Sequence, residues 1–172
     1  MNRFLLAVAL FSASAIFVAG QTSPKLGIRL RSQRDSYSFR SDIEIEITRE
    51  NTGDGRLLIP RQWGSGVMRT QIRVFDASGH EVKTDFFADE LPPPPKPYDF
   101  VLLDPGQFVG MRLKERATDF VNKPGDYVFV VEYTSYLSEE YAREVMKMPD
   151  VPFWSRESGT VISNKVRLRI TQ

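Results

Sequence analysis

The chain has 172 residues, with 23 basic and 22 acidic side chains, one histidine and no cysteine. The missing cysteines exclude a disulfide framework, a thiolate nucleophile, an iron–sulfur cluster and a cysteine-ligated zinc. The single His80 excludes any site that needs two imidazoles from one chain. A formal net charge of +1 argues against nucleic-acid binding, which depends on basic side chains neutralising phosphates.

In chain order, residues 1–20 read as an address. Arg3 stands beside the start, and an uncharged apolar run follows that ends in Val18, Ala19 and Gly20. A cation, a short apolar stretch and small residues at its end make the pattern of a secretory signal peptide. Cleavage is expected before Gln21. The run from 4 to 19 has 16 residues, short of the ~20 that a span needs. No membrane span is therefore expected after cleavage, and residues 21–172 are expected to form one exported domain, periplasmic or extracellular.

That domain is poor in helix formers. Only four alanines follow residue 20, and all eleven prolines lie beyond residue 23. Alternation with a period of two dominates instead. Residues 26–31 put Leu26, Ile28 and Leu30 on one face and Arg29 and Arg31 on the other. Residues 42–47 set three isoleucines against Asp42, Glu44 and Glu46. Residues 51–55 carry turn chemistry, and residues 57–59 form a short strand stopped by Pro60. Residues 71–76 and 81–84 flank a hairpin connection at 77–80.

Five prolines between 92 and 97 keep that segment out of a sheet ladder, because proline has no N–H. A stiff loop is expected there. Strands are expected at 107–113, 126–135 and 165–171, the first two preceded by Pro-Gly turns. Helical spacing is strong only at 138–147, where Leu137, Tyr141, Val145 and Met148 share a face and Ser138 is placed to cap the N-terminus. The expectation is an all-β domain of seven to eight strands, with one short helix in the connection before the last strand.

Several of these segments resemble a known fold. Pro124, Gly125, Asp126 and Tyr127, then alternating Phe129, Val131 and Tyr133, then Ser163 and Asn164 before the last strand, are similar to the closing strands of an immunoglobulin-like antiparallel β-sandwich. Tyr127 resembles the corner tyrosine of that fold, whose hydroxyl bonds nearby backbone. Residues 51–54, 74–82 and 103–106 also resemble, in their order, the bacterial intracellular proteinase-inhibitor family, whose fold is immunoglobulin-like too. The resemblance spans roughly residues 26–172 and implies architecture; its motifs are turn signatures and carry no activity.

Chemistry-bearing patterns are sparse. His80 lies in a hairpin turn with no nucleophile and acid assigned to it. Gly64, Ser65 and Gly66 lack the Gly-x-Ser-x-Gly spacing of a nucleophile elbow. Asp42, Glu44 and Glu46 stand about 7 Å apart along a strand, too wide to share one ion, and cross-strand pairing with Arg29 and Arg31 is expected instead. No metal site and no cofactor is expected, although Asp54 and Asp104 sit in turns where calcium carboxylates occur.

Two features point to a surface in use. The strand 126–135 is apolar on both faces, with Val128 and Val130 opposite Tyr127, Phe129, Val131 and Tyr133. The connection before the last strand is expected to cover Val128 and Val130, since such patches are uncommon on monomers; cover by a partner is the alternative. That connection, residues 136–163, is far longer than the two to five residues a hairpin needs. Its Tyr136, Tyr141, Arg143, Phe153, Trp154 and Arg156 are of the types that anchor interfaces. The functional expectation is a non-enzymatic binding or assembly module contacting another protein or a cell-envelope component through residues 136–163. A secreted proteinase inhibitor presenting an extended loop is the alternative, and a hydrolase the reading with least support.

Overall fold

The computed structural model describes residues 25–63, 68–82 and 96–172. The expected leader, the Gly64–Gly66 tripeptide, residues 83–84 of the expected hairpin and all but the end of the proline-rich loop fall outside these. The described residues are mostly strand, as the alternation requires. Eleven strands occur: β1 (Leu26–Ser32), β2 (Ser36–Ser38), β3 (Asp42–Asn51), β4 (Leu57–Pro60), β5 (Met68–Asp76), β6 (Glu81–Val82), β7 (Phe100–Leu103), β8 (Phe108–Arg116), β9 (Gly125–Ser135), β10 (Thr160–Ile162) and β11 (Val166–Thr171). Two short helices join them, α1 (Ala117–Phe120) and α2 (Glu139–Met146).

Among the described residues the strands form three sheets. A three-stranded sheet runs β1-β3-β8, a six-stranded sheet runs β2-β11-β9-β5-β6 with β10 also on β9, and β4 pairs with β7. All pairings are antiparallel except β2 with β11, where Tyr37 lies opposite Ile170. The inner faces of the two larger sheets share one core: Ile43, Ile45 and Ile47 of β3 lie in a single apolar cluster with Val74, Phe129, Val131 and Leu168. The expected inward isoleucines are thus confirmed, and the alternation runs on through buried Arg49 and Asn51.

The strand 42–47 was read as ending before a turn at Asn51, but β3 reaches Asn51. Its side chain supplies the turn chemistry from the strand's last position. Nδ2 donates to Gly55 O (2.7 Å) and Leu103 O (3.0 Å), and Oδ1 accepts from Gly53 N–H (3.0 Å). Pro60 does not stop β4 either; it closes the ladder opposite Phe100. An end position needs no donor, which is why proline fits there.

Residues 136–163 fold as a unit. Ser138 Oγ caps α2 by accepting from Tyr141 N–H (3.2 Å). Leu137, Ala142, Val151 and Phe153 then build a second apolar cluster with Leu58 and Phe100, against which Tyr141, Val145 and Met148 pack. Phe153 meets Phe100 edge to face at 5.6 Å. β4 is the wall between the two clusters: Leu57 and Ile59 face the main core and Leu58 the second.

Candidate functional site

The six-stranded sheet turns its outer face to solvent, and β9 sets that face's chemistry. Successive strand residues point to opposite sides. With Tyr127, Phe129, Val131 and Tyr133 in the core, Val128 and Val130 look outward. Register supplies their neighbours. Phe75 on β5 and Arg167 on β11 flank Val128, and Arg73 flanks Val130. Together with Ile162 of β10 they line an open trough of about 1350 Å³ bordered by Lys165, Arg169, Asp126 and Glu132. Val130 is buried at the trough's floor, Val128 and Phe75 are half-buried, and Ile162 is 59% exposed.

The connection was expected to cover these valines; Val130 is buried, and Val128 stays half-exposed. Among the described residues the connection contributes only Ile162 to the trough. The reason is energetic: its apolar side chains find a larger burial against β4 and β7. Leu58 N–H donates to Pro152 O and Trp154 N–H to Leu58 O, both at 2.9 Å, which holds the segment along β4.

Much of the trough's rim is locked by ion pairs. Arg73 bonds Glu132 Oε1 through Nη1 (2.6 Å) and both carboxylate oxygens of Glu81 through Nε (2.8 Å) and Nη2 (2.7 Å). These bonds hold the Glu81 carboxyl below its usual range and raise the guanidinium further. Arg169 Nε donates to Asp126 Oδ1 at 2.7 Å, which lowers the Asp126 carboxyl in the same way.

The outer face of the three-stranded sheet contrasts with this. It carries a row of charge pairs, Arg29 with Glu50 (3.9 Å), Arg112 with Glu46 (3.4 Å), and Lys114 with Asp42 (3.6 Å) and Glu44 (3.9 Å), and at the start of β8 Phe108 stands 65% exposed beside them. Asp42, Glu44 and Glu46 were expected to pair with Arg29 and Arg31 of β1; they pair instead with Lys114 and Arg112 of β8, and Arg29 pairs with Glu50. Arg31 stands opposite Glu46 in register.

The six residues expected to form a contact surface are not one surface. Phe153 and Trp154 are buried, at 1% and 6% exposure, and anchor the connection rather than present it; sequence cannot tell an aromatic that binds a partner from one that binds its own fold. Tyr141 is half-buried on the second cluster. Arg143 bonds Glu139 Oε1 at 2.7 Å one turn back along α2. Tyr136 and Arg156 remain exposed, the latter bonded to Glu157 at 3.3 Å. Phe75, Ile162, Lys165 and Arg167 were not singled out. The readable signal was the alternation at 71–76, which sets Phe75 beside Arg73 on one face.

A second unusual group is internal. Arg49 is fully buried, with its guanidinium 3.8 Å from the centre of the Trp63 ring. It donates to Tyr133 Oη (3.1 Å), Arg61 O (3.0 Å) and Gln62 O (3.4 Å), while its Nε has no partner. Burial lowers its pKa and raises that of Tyr133. His80 is exposed in the β5–β6 turn, its N–H donated to Asp76 Oδ1 at 3.0 Å. Among the described residues no three histidine or carboxylate groups converge on a point that could hold a metal, and no helix is long and apolar enough to cross a membrane.

No protein-family model matches the chain, and no curated protein matches it. Among solved structures it is similar to a β-glucosidase from Erythrobacter marinus, at 15% identity and a TM-score of 0.41, over 86% of this chain. The chain spans 15% of the length of that enzyme.

Proposed function

We propose that the chain is an exported, immunoglobulin-like binding or assembly module without enzymatic activity, whose contact surface is the outer face of the six-stranded sheet together with the exposed part of the 136–163 connection. The strand order supports the immunoglobulin-like reading: β1-β3-β8 against β2-β11-β9-β5-β6, with the first strand split so that its second part runs parallel to the last. Tyr127 supports it as well, because its hydroxyl donates to Lys123 O at 2.8 Å, just after α1, as a corner tyrosine does. The charge and apolar pattern of residues 1–20 supports export.

The observation that carries the binding role is the contrast between the two outer faces. One carries a row of ion pairs, with a single apolar side chain among the described residues, Phe108, exposed at its end. The other keeps Phe75, Val128 and Ile162 within reach of solvent beside charged side chains, the composition of an interface core with a polar rim. Of the connection, Ile162 joins that face and Tyr136, 47% exposed, follows the end of β9.

A photo-crosslinking amino acid at position 162, compared with one at position 112 on the other sheet, tests this in the producing cell. Discrete adducts are expected from 162 and none from 112, and Phe75→Glu should abolish them without changing the melting temperature. Equal labelling from both positions would overturn the proposal.

A further inference from the structure

Resting on the reading of this face as a docking surface, we infer that its partner is a protein segment that presents carboxylates next to apolar side chains. The argument starts from which charges in the trough are already spent. Arg73 is held by Glu81 and Glu132, and Arg169 by Asp126. Asp76 Oδ1 accepts the N–H groups of Ser78 (2.8 Å) and His80 (3.0 Å). Lys165 and Arg167 are left: among the described residues neither meets an acidic side chain within ion-pair distance. Asp35 borders the trough on the far side of β11 from Val128; its carbonyl accepts the Arg169 N–H, and among the described residues its carboxylate makes no ion pair within 4.0 Å.

Position then matters more than net charge. Arg167 lies directly opposite Val128, which lies directly opposite Phe75. One row across three strands therefore reads cation, aliphatic, aromatic. Lys165 and Ile162 extend the same bank toward β10. A docked segment that covers Phe75 and Val128 with an apolar side chain carries its neighbouring side chains over Arg167 and Lys165, where carboxylates are complementary and cations are excluded. Such pairing sets specificity and steers encounter.

A lipid surface fits less well. The trough's lining balances four cations (Arg73, Lys165, Arg167, Arg169) against four acids (Asp35, Asp76, Asp126, Glu132). A bilayer of anionic headgroups would meet the acids as well as the two free cations, whereas a discrete pair of carboxylates meets only the cations.

The test uses two fluorescent synthetic peptide pools with the same apolar residues at alternate positions. One pool has Glu or Asp between them and the other Gln or Asn. Binding to the purified protein is read by anisotropy at two salt concentrations and mapped by amide chemical shifts. The acidic pool is expected to bind at least tenfold more tightly than the amide pool, to weaken with salt, and to shift Phe75, Val128, Ile162 and Arg167. Lys165→Glu combined with Arg167→Glu should remove that preference, and Arg56→Glu, in the turn after β3, should keep it.

Equal binding of both pools at this face would overturn the inference about charge and leave the docking surface standing. Binding of neither pool, or capture by phosphatidylglycerol vesicles that depends on Lys165 and Arg167, would overturn the partner class. Shifts confined to other surfaces would overturn the docking surface too.

Discussion

Arg49 occupies a position that alternation reserves for an apolar side chain. A buried cation normally requires a carboxylate, and desolvation costs several kcal/mol otherwise. Here the charge is met by two carbonyls, a tyrosine oxygen and the faces of two rings, with Tyr133 at 5.1 Å beside Trp63 at 3.8 Å. A planar, weakly hydrated guanidinium can use all of these at once, and an ammonium cannot. Arg49→Lys is therefore expected to cost about 3 kcal/mol in urea unfolding, more than Arg49→Met, which removes the charge and lets water reach the exposed residues 61 and 62. Lysine as stable as the native residue would refute this account. The alternation legible in the sequence stops at Ile47; that it runs on to bury Arg49, and which groups meet the charge, only the fold shows. Carbonyls of residues 61 and 62 come from a turn whose path only the fold determines.

At the scale of elements, long alternating strands were legible, and of the short ones only β4 and β6, which turn residues mark out. β1, β3, β5, β9 and β11 each carry enough residues for a period to show. β2, β7 and β10, three or four residues each, owe their pairing to neighbours in space. Asn164 illustrates how such pairing is held. Between β10 and β11 its side chain acts as a one-residue strand toward β1, accepting from Leu30 N–H (2.9 Å) and donating to Leu30 O (3.0 Å). Asn164→Ala should remove both bonds and cost about 1–3 kcal/mol. Hydrogen exchange at the Leu30 amide is expected to rise well beyond the global change, because β1 would open separately. Unchanged protection at Leu30 would mean that packing alone keeps β1 in place. Phe153 and Trp154 of the expected contact surface are buried for a related reason: the long aromatic connection reads as available, and β4 offers it a second core.

For the whole molecule, buried phenols set the response to alkali. Burial raises the hydroxyl pKa of both Tyr127 and Tyr133 above the ordinary value of 10.0. In the unfolded chain the same hydroxyls ionise near pH 10. The stability they contribute is thus complete below pH 10 and is lost as pH rises through the folded-state values, since the unfolded state then holds fewer protons. Urea midpoints measured from pH 8 upward should stay level and then fall beyond about pH 10. Tyr133→Phe and Tyr127→Phe should each flatten that fall; an undiminished slope in both would locate the alkaline transition in other groups.

The parallel contact between β2 and β11 has a consequence in time. It joins Tyr37 to Ile170, and Asn164, just before the same strand, bonds Leu30 of the other sheet, so the two sheets are tied together by residues far apart in the chain. Pairing over such sequence separations is slow, so this seam is expected to close last, after the local hairpins have formed.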